Sequence, residues 1–467
     1  MNTKNHYCFK PLFLTIMLSM AFCSTATADG GFRTLGNGTT YNFDILAQTE
    51  GSGVKKMEGS DNKYIVERTD TIAQGDRFEL DDDATVYFAD KTSLVIKGEA
   101  LLTVDDGKKT KFTRFDENSI PYSIKIDNQT GATVRNVVFE YLGLESVSTG
   151  AINVNHCSFK SHNGNAAAAL YFISKGEKST ISNCTFELCE KAAIGSSANA
   201  SQPMNIIDCN FVRNSTRNGN VPQINVTASE MLIEGCTVEG DPNSLKSNNK
   251  VGGIGISNFM GFTETSTTIR NCTITHNRYG IGTVGPVQVR IEGNTILNNN
   301  HEDNPMNGGS GISLYDPYSL TNAIITGNNI RGNHWGITII GCKSVNVGQP
   351  ENKEIDSPGN NQFGENGFNG QLYDLYNNST ITVYAQNNTW GVDEQTPDKI
   401  ESVIFHKADD SKLGKVIYLS DQEEAGIRQA LGTDRQQSSP VFNLKGTRLQ
   451  SIPTHGIYIK DGKKVVR

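Results

Sequence analysis

The stretch Ile181-Ser-Asn-Cys184-Thr-Phe186 decides the fold of this chain, because its pattern recurs along most of the sequence. Each copy has an aliphatic residue, then a Cys or Asn three positions later, then an apolar residue two positions after that. Successive copies are 20 to 36 residues apart, which is too short for a propeller blade or a domain. We call the Cys and Asn positions of this pattern, together with the Val that opens the series, the first ladder. Its members are Val137, Cys157, Cys184, Cys209, Cys236, Cys272, Asn294, Asn328, Asn361 and Asn388.

A repeat of this length predicts one coil of a parallel sheet, built from three short strands and three turns. Equivalent residues then stack about 4.8 Å apart, the spacing of paired strands. Stacked Asn side chains satisfy one another's hydrogen bonds, and Cys serves as a small apolar filler. We therefore expect Cys157, Cys184, Cys209, Cys236, Cys272, Asn294 and Asn328 to line the core. Disulfides between neighbouring coils remain open, whereas a linear stack does not offer tetrahedral metal geometry.

The composition agrees with a narrow core that has much surface. The 467 residues include 46 Gly, and apolar residues make up only 36%. The formal net charge of −8 argues against nucleic acid as the main partner, because phosphate binding needs clustered Lys and Arg. Apart from the N-terminal leader, no apolar run approaches 18 residues, so the sequence predicts no membrane span.

The N-terminus has the features of a secretory signal peptide. Lys4 and Lys10 precede an apolar stretch over 11–23, and Ala26-Thr27-Ala28 has the small-x-small form of a cleavage site. We therefore expect residues 1–28 to be removed. The mature chain is predicted to be exported, to the periplasm, the cell surface or the medium.

These repeats resemble the right-handed parallel β-helix superfamily, in the form found in exported bacterial, Bacteroidetes-like proteins. Two further stretches carry the resemblance, 64–98 at the start and 388–416 at the end. It implies an all-β fold: a right-handed, single-stranded parallel β-helix solenoid. The resemblance implies four segments after the signal peptide: an N-terminal cap region at 29–62, the β-helix at 63–420, a linker at 421–440 and a small C-terminal β module or sorting-like tail at 441–467.

The resemblance leaves the chemistry open, because lyases, hydrolases, epimerases and inert surface proteins share this scaffold. In the superfamily, function usually lies on the outer face of the first strand of each coil. Alternation along those strands predicts an outward row that is small and neutral: Asn225, Gly255, Ser257, Gly282, Ser313, Tyr315 and Thr338. Such a row argues against a pectate-lyase-like site, which needs carboxylates for Ca²⁺ and a basic residue. It also lacks the paired acids of a polygalacturonase-like hydrolase.

Two insertions, Gly240–Lys250 and Asn298–Gly309, are predicted to wall a groove over the coil at 272–318. Aromatic rings beside polar groups suit a sugar. The predicted substrate-binding residues are Tyr279, Tyr315, Tyr318, Trp335, His334 and His301. The candidate catalytic residues are Arg278, His276 and Asp316. No cofactor is required, although a Ca²⁺ site at Asp241, Glu302 or Asp303 is an alternative.

Tyr315-Asp316-Pro317-Tyr318 resembles the Tyr-x-x-Asp-Pro-His segment of alginate epimerases, with Tyr318 in place of the family's His. That substitution removes the base candidate. Three hypotheses follow. The first is an exported protein that binds polysaccharide or another extended glycan along one face. The alternatives are a polysaccharide lyase, epimerase or glycoside hydrolase acting on an acidic glycan, and a structural surface spacer or adhesin.

Overall fold

The chain winds through three long parallel sheets, here called sheets 1, 2 and 3 in the order in which each coil visits them. The computed structural model describes residues 31–244, 249–263, 265–349, 357–420 and four strands nearer the C-terminus. Strands pair in parallel with their counterparts one coil further on, so that Phe159 pairs with Phe186 and Phe186 with Phe211. Val54–Lys56 is the exception among the described strands of these sheets, because it pairs antiparallel with Lys63–Val66. The predicted parallel β-helix is confirmed.

The described residues form 14 strands in sheet 1, 14 in sheet 2 and 13 in sheet 3. Sheet 1 contains Phe32–Arg33, Asp70–Ile72, Leu94–Ile96, Ser123–Ile126, Gly143–Ser146, Ala168–Phe172, Ala192–Ser196, Ile224–Thr227, Ile254–Ser257, Ile281–Val284, Ser310–Asp316, Trp335–Gly341, Leu375–Asn378 and Ile404–Phe405. Sheet 2 contains Thr40–Tyr41, Arg77–Glu79, Glu99–Thr103, Ala132–Arg135, Ile152–Asn155, Ser179–Ser182, Met204–Ile207, Glu230–Glu234, Ser266–Arg270, Gln288–Glu292, Asn322–Thr326, Ser344–Gly348, Val383–Ala385 and Val416–Ile417. Sheet 3 contains Val54–Lys56, Lys63–Val66, Thr85–Phe88, Thr110–Arg114, Val137–Glu140, Ser158–Lys160, Thr185–Glu187, Asn210–Val212, Thr237–Glu239, Thr273–Thr275, Thr295–Leu297, Asn329–Arg331 and Gln362–Gly364.

The core is a cylinder of stacked apolar rows, one or two from each sheet. In sheet 3 the rings of Phe139, Phe159, Phe186 and Phe211 stack nearly parallel, with centroids 4.6, 4.7 and 5.0 Å apart. All four side chains are fully buried. Burial of such a side chain contributes about 1.5–3 kcal/mol relative to exposure, so the repeated row is a main source of stability.

The first ladder lies at the corner between sheets 2 and 3. Its cysteines are buried and unpaired, as are all seven cysteines of the described residues. From Asn294 onward, each amide donates from Nδ2 to the Oδ1 of the next Asn at 2.9 Å, through Asn328 and Asn361 to Asn388. The residue before each ladder position from Asn136 to Asn387 has a positive φ, which produces the sharp corner.

A second ladder, which the sequence analysis did not predict, lies at the corner between sheets 3 and 1. Its members are Asn214, Gln223, Asn277, Asn299, Asn333 and Asn366, and it ends on Asp374. Donor–acceptor distances along the chain of amides are 2.9–3.2 Å. Both corners on either side of sheet 3 are therefore held by buried, mutually satisfied amides over the later coils.

The N-terminal end of the cylinder is closed by a short helix, α1 (Phe43–Gln48). Phe43 is fully buried and its ring meets that of Phe78 at 5.2 Å. The two strands before α1, Phe32–Arg33 and Thr40–Tyr41, already pair in parallel with sheets 1 and 2. The solenoid thus begins inside the segment predicted as a cap, before the boundary placed at residue 63.

The C-terminal end is closed by Trp390, whose ring stacks on Phe363 at 5.1 Å, and by the helix α2 (Pro397–Glu401). A short antiparallel hairpin joins Gly367–Phe368 to Gln371–Leu372. The chain divides into two units after Tyr418. The second unit contains four antiparallel strands: Val441–Asn443, Arg448–Leu449, Ile457–Lys460 and Lys463–Val466.

The predicted signal peptide at 1–28 and the predicted linker at 421–440 lie outside the described residues. Among the residues that are described, no helix has both the length and the apolar character needed to cross a membrane.

Candidate functional site

The groove predicted over the coil at 272–318 is filled by protein side chains. Arg278 is 3% exposed, Tyr279 6% and Trp335 1%. The remaining predicted residues that are also buried are His301, His334, Tyr315, Asp316 and Glu302. The expectation that these side chains face an open groove is therefore wrong.

The small outward row explains why the groove is filled. A Cβ added at Gly252 would lie 2.1 Å from Cζ of Tyr279, and one at Gly282 would lie 2.9 Å from its Cε2. A Cβ at Gly255 would lie 2.6 Å from Cγ of Pro222. The glycines make room for Tyr279 and Pro222 to pack directly onto sheet 1, so the row serves packing at this point.

The histidines and the tryptophan hold the insertion Asn298–Gly309 against the solenoid. Nε2 of His334 bonds the carbonyl of Glu302 at 2.7 Å, and Nε1 of Trp335 donates to the carbonyl of Pro305 at 3.3 Å. His301 meets Ser244 of the other insertion at 3.1 Å, and its ring lies edge-on to His276 at 5.6 Å. These contacts hold Asn298–Gly309 against the solenoid and join it to Ser244 of the other insertion.

Asp316 and Tyr318 are only two positions apart in sequence but lie in different environments. The Asp316 carboxylate accepts backbone N–H groups of Tyr318, Leu320 and Thr321 at 2.7–3.0 Å, so it fixes the turn that follows its strand. Tyr318 is 72% exposed at that turn. Asp316 is thus committed to the backbone, and only Tyr318 of the pair is open to a ligand.

The three candidate Ca²⁺ ligands do not form a cluster. Asp241 accepts the N–H of Asn243, buried Glu302 accepts the N–H of Asn304, and Asp303 is exposed. Within the described ranges, no group of three or more His, Cys, Asp or Glu side chains is arranged to hold a metal ion.

A small pocket remains beneath the insertion Asn298–Gly309. It has a volume of about 300 Å³ including its open mouth, and its walls include Tyr279, Met306, Ser313 and Thr338. It is too small to hold an extended glycan.

Sheet 1 has a second stretch of outer face that no insertion covers. Its outward row runs through register partners Val95, Lys125, Glu145, Tyr171, Gly195 and Asn225. All except Gly195 are partly exposed, whereas Gly255, Ser313 and Thr338 further on are buried. We call the stretch from Val95 to Asn225 the open half of sheet 1, and the stretch from Gly253 to Phe405 the covered half.

The open half carries both charges and apolar surface. Lys125 and Glu145 are Cα partners on adjacent strands, as are Glu145 and Tyr171. Ser123 Oγ donates to Oε2 of Glu145 at 2.7 Å and orients that carboxylate. A neighbouring outward row adds an ion pair between Lys97 and Asp127 at 3.2 Å. An acid, a base and a phenol therefore lie side by side at strand spacing.

Apolar side chains and an unpaired amide oxygen complete this surface. Val147 and Ile173 lie beside Tyr171 and are partly exposed. Oδ1 of Asn225 is buried and has no hydrogen-bond partner within the described residues. Because that oxygen is buried, the groups open to a ligand here are the aromatic ring and its apolar flanks, which suit the apolar face of a sugar.

One side of the open half is walled by the loops that precede its strands. The loop at 161–167 packs on Pro121 and Tyr122, since a Cβ at Gly164 would lie 2.8 Å from either carbonyl oxygen. Nζ of Lys191 donates to the carbonyls of residues 164, 165 and 166 at 2.8–3.0 Å. Phe115 and Ile120, about half exposed, add apolar surface to the wall.

Sequence reasoning missed Lys125, Glu145 and Tyr171, because the predicted outward row began only at Asn225. The signal was present in the alternation of Ser123–Ile126 and Gly143–Ser146, each with two buried aliphatic or small residues around one charged residue. Extending that row back by four coils would have placed both charges on the outer face.

The fold defines a class: this is a parallel β-helix protein. No family model matches the sequence, and no curated protein sequence matches it. Among solved structures, the chain is similar to the periplasmic alginate epimerase AlgG, with 10% identity, a TM-score of 0.39, and 82% of this chain and 84% of that chain covered. It is also similar to a mannuronic acid specific polysaccharide family 6 lyase from human gut microbiota, with 10% identity, a TM-score of 0.35, and coverage of 85% and 94%. At these identities the likeness is one of fold.

Proposed function

We propose that the chain is an exported protein that binds polysaccharide along the open half of sheet 1. The observation that carries the proposal is the partly exposed row Lys125–Glu145–Tyr171, which is flanked by apolar side chains and ends at the partly exposed Asn225. Six positions at strand spacing span about 24 Å, which is enough for several sugar units of one extended chain. The open surface thus fits a linear polymer better than a small molecule.

Tyr171 is the decisive residue for a binding test. The mature chain is titrated with a panel of neutral and uronic-acid polysaccharides, with and without Ca²⁺, by isothermal calorimetry. Tyr171→Ala removes the stacking ring and should weaken the best ligand about tenfold, since a ring contact contributes about 0.5–1.5 kcal/mol beyond area burial. Tyr318→Ala is the matched control, because Tyr318 is an exposed tyrosine over the covered half.

The control also discriminates between the two sites. Equal binding by wild type and Tyr171→Ala, together with weakened binding by Tyr318→Ala, would move the glycan site to the loops near Tyr318. An absence of binding to the whole panel would favour the spacer or adhesin hypothesis.

A second candidate function is the modification of an acidic glycan, and Lys125 next to Glu145 favours it. A positioned acid and base are the groups that proton abstraction next to a carboxylate, or hydrolysis, requires. The same panel is followed for ultraviolet absorbance of an unsaturated product and for new reducing ends. Turnover that survives in Lys125→Met and in Glu145→Gln would contradict this candidate, even if the glycan binds.

A further inference from the structure

Arg278 is a buried cation with almost no partners. It is 3% exposed, and Nη1 donates to Oδ1 of Asn220 at 2.6 Å. Its Nε is buried and has no acceptor, and in the described part of the chain no carboxylate lies within ion-pair distance of it. A guanidinium has five N–H donors, so most of the donors of Arg278 have no protein acceptor among the described residues.

The groups around Arg278 stabilise its charge only in part. Its guanidinium lies 5.2 Å from the centroid of the Tyr279 ring, a favourable but modest contact. Glu302 favours the charged form from a distance, while its own carboxylate accepts the N–H of Asn304. Burial is the dominant influence and lowers the pKa of Arg278. A buried ion compensated this weakly costs stability.

The guanidinium of Arg278 lies close to the last coil of the open half. Arg278 lies three residues before the first residue of the strand Ile281–Val284, yet its side chain reaches Asn220, which precedes the strand Ile224–Thr227 two coils earlier. It also packs on Gly308 of the insertion, where a Cβ would lie 2.6 Å from Cγ of Arg278. The guanidinium therefore lies where the covered half meets the last coil of the open half.

We propose that Arg278 and Asn220 form a subsite for an oxyanion, the carboxylate or sulfate of an acidic glycan lying on the open half. This inference rests on the proposed function and deepens it, because it names the charge of the substrate. The planar fork of a guanidinium binds such groups through two parallel hydrogen bonds, and partial burial strengthens them. The ligand would supply the acceptors that the protein does not.

The experiment combines thermal melting and calorimetry on Arg278→Met. Without ligand, this variant should melt about 2 °C or more above wild type, because an apolar side chain replaces an uncompensated buried cation. Its affinity for oligogalacturonate or a sulfated galactan oligosaccharide should fall at least tenfold, and its affinity for a neutral oligosaccharide should not change. Arg213→Met, at an exposed arginine, is the control for net charge.

Comparison of oligogalacturonate with the sulfated galactan oligosaccharide shows whether the subsite takes a carboxylate or a sulfate. The outcomes also distinguish failure of this inference from failure of the proposed function. A variant Arg278→Met that melts below wild type and binds acidic oligosaccharides normally overturns the subsite. Loss of acidic binding in Arg278→Met, but not in Tyr171→Ala, supports the subsite and rejects the open half as the binding face. If wild type binds no glycan, the melting temperatures of wild type and Arg278→Met are compared with and without inorganic sulfate at matched ionic strength. A larger rise in melting temperature for wild type than for Arg278→Met supports the subsite, and equal rises overturn it.

Discussion

Removal of one side-chain amide from the second ladder should lower the free energy of unfolding by more than the loss of so few atoms would suggest. Asn299 Oδ1 accepts from N and Nδ2 of Asn277 at 3.1 Å each, and its Nδ2 donates to the carbonyl of Ile274 at 3.0 Å and to Asn333 at 3.2 Å. Asn299→Ala deletes all four bonds inside the core. At a net value of about 0.5–1.5 kcal/mol each, the free energy of unfolding should fall by about 4 kcal/mol.

The measurement is urea unfolding, followed by circular dichroism and by tryptophan fluorescence. Trp335 reports on the affected region, because it lies one coil beyond the strand that follows Asn299. Asn299→Asp tests the direction of the hydrogen bonds at nearly constant side-chain volume, because an aspartate accepts from Asn277 but cannot donate to Asn333. At neutral pH this variant should lose at least as much free energy of unfolding as Asn299→Ala. Asn298→Gly is the control, because Asn298 is exposed and already has a φ of 55°. A loss below about 1 kcal/mol for Asn299→Ala would refute the ladder's energetic role.

Two further predictions concern buried titratable groups with opposite effects on acid stability. His162 is fully buried, neither ring nitrogen has a partner in the described chain, and burial lowers its pKa to about 3. Its neutral form is therefore favoured by folding, and stability should fall by up to about 1.4 kcal/mol per pH unit from about pH 6.5 towards 3. His162→Leu should raise stability at pH 7 and abolish that component, and urea titrations from pH 7 to 4 that show an unchanged slope would contradict it. Burial raises the pKa of Asp374 to about 6, so this carboxyl favours the folded state once protonated, and its contribution grows as pH falls from about 6 to 4. Asp374→Asn should remove this gain in the same titrations, and persistence of the gain would place its origin elsewhere.

The sequence predicted those parts of the fold that repeat with small variation. The pattern around Cys184 and Phe186 located the corner, the inward row and the strand pairing, because each depends only on contacts with the equivalent residue one coil away. The second ladder was equally accessible: Asn277, Asn299, Asn333 and Asn366 each lie five residues after a first-ladder position. Five residues after Cys236 the sequence has Asp241 instead of Asn. Gln223, from a different loop, takes that place in the second ladder between Asn214 and Asn277.

The candidate site was less predictable, because it depends on how the insertions fold. Periodicity placed Gly255 and Gly282 on the outer face but could not show that Tyr279 packs over them. A small outward row has two opposite meanings, an open floor or a seat for a large side chain, and only the path of the insertions distinguishes them. The same ambiguity made Trp335 and His334 resemble ligands for a sugar when they are contacts for the insertion.

The two halves of sheet 1 define one direction along the solenoid. A parallel β-helix repeats its outer face at every coil, so nothing in the repeat itself says where a bound polymer should end. The insertions at 240–250 and 298–309 break that equivalence by covering the later coils. A polymer on the open half must then stop, or leave the sheet, near Asn225 and Arg278. Placing an under-compensated cation at that boundary would favour chains whose charged groups lie there, and would fix their register on a surface that is otherwise periodic.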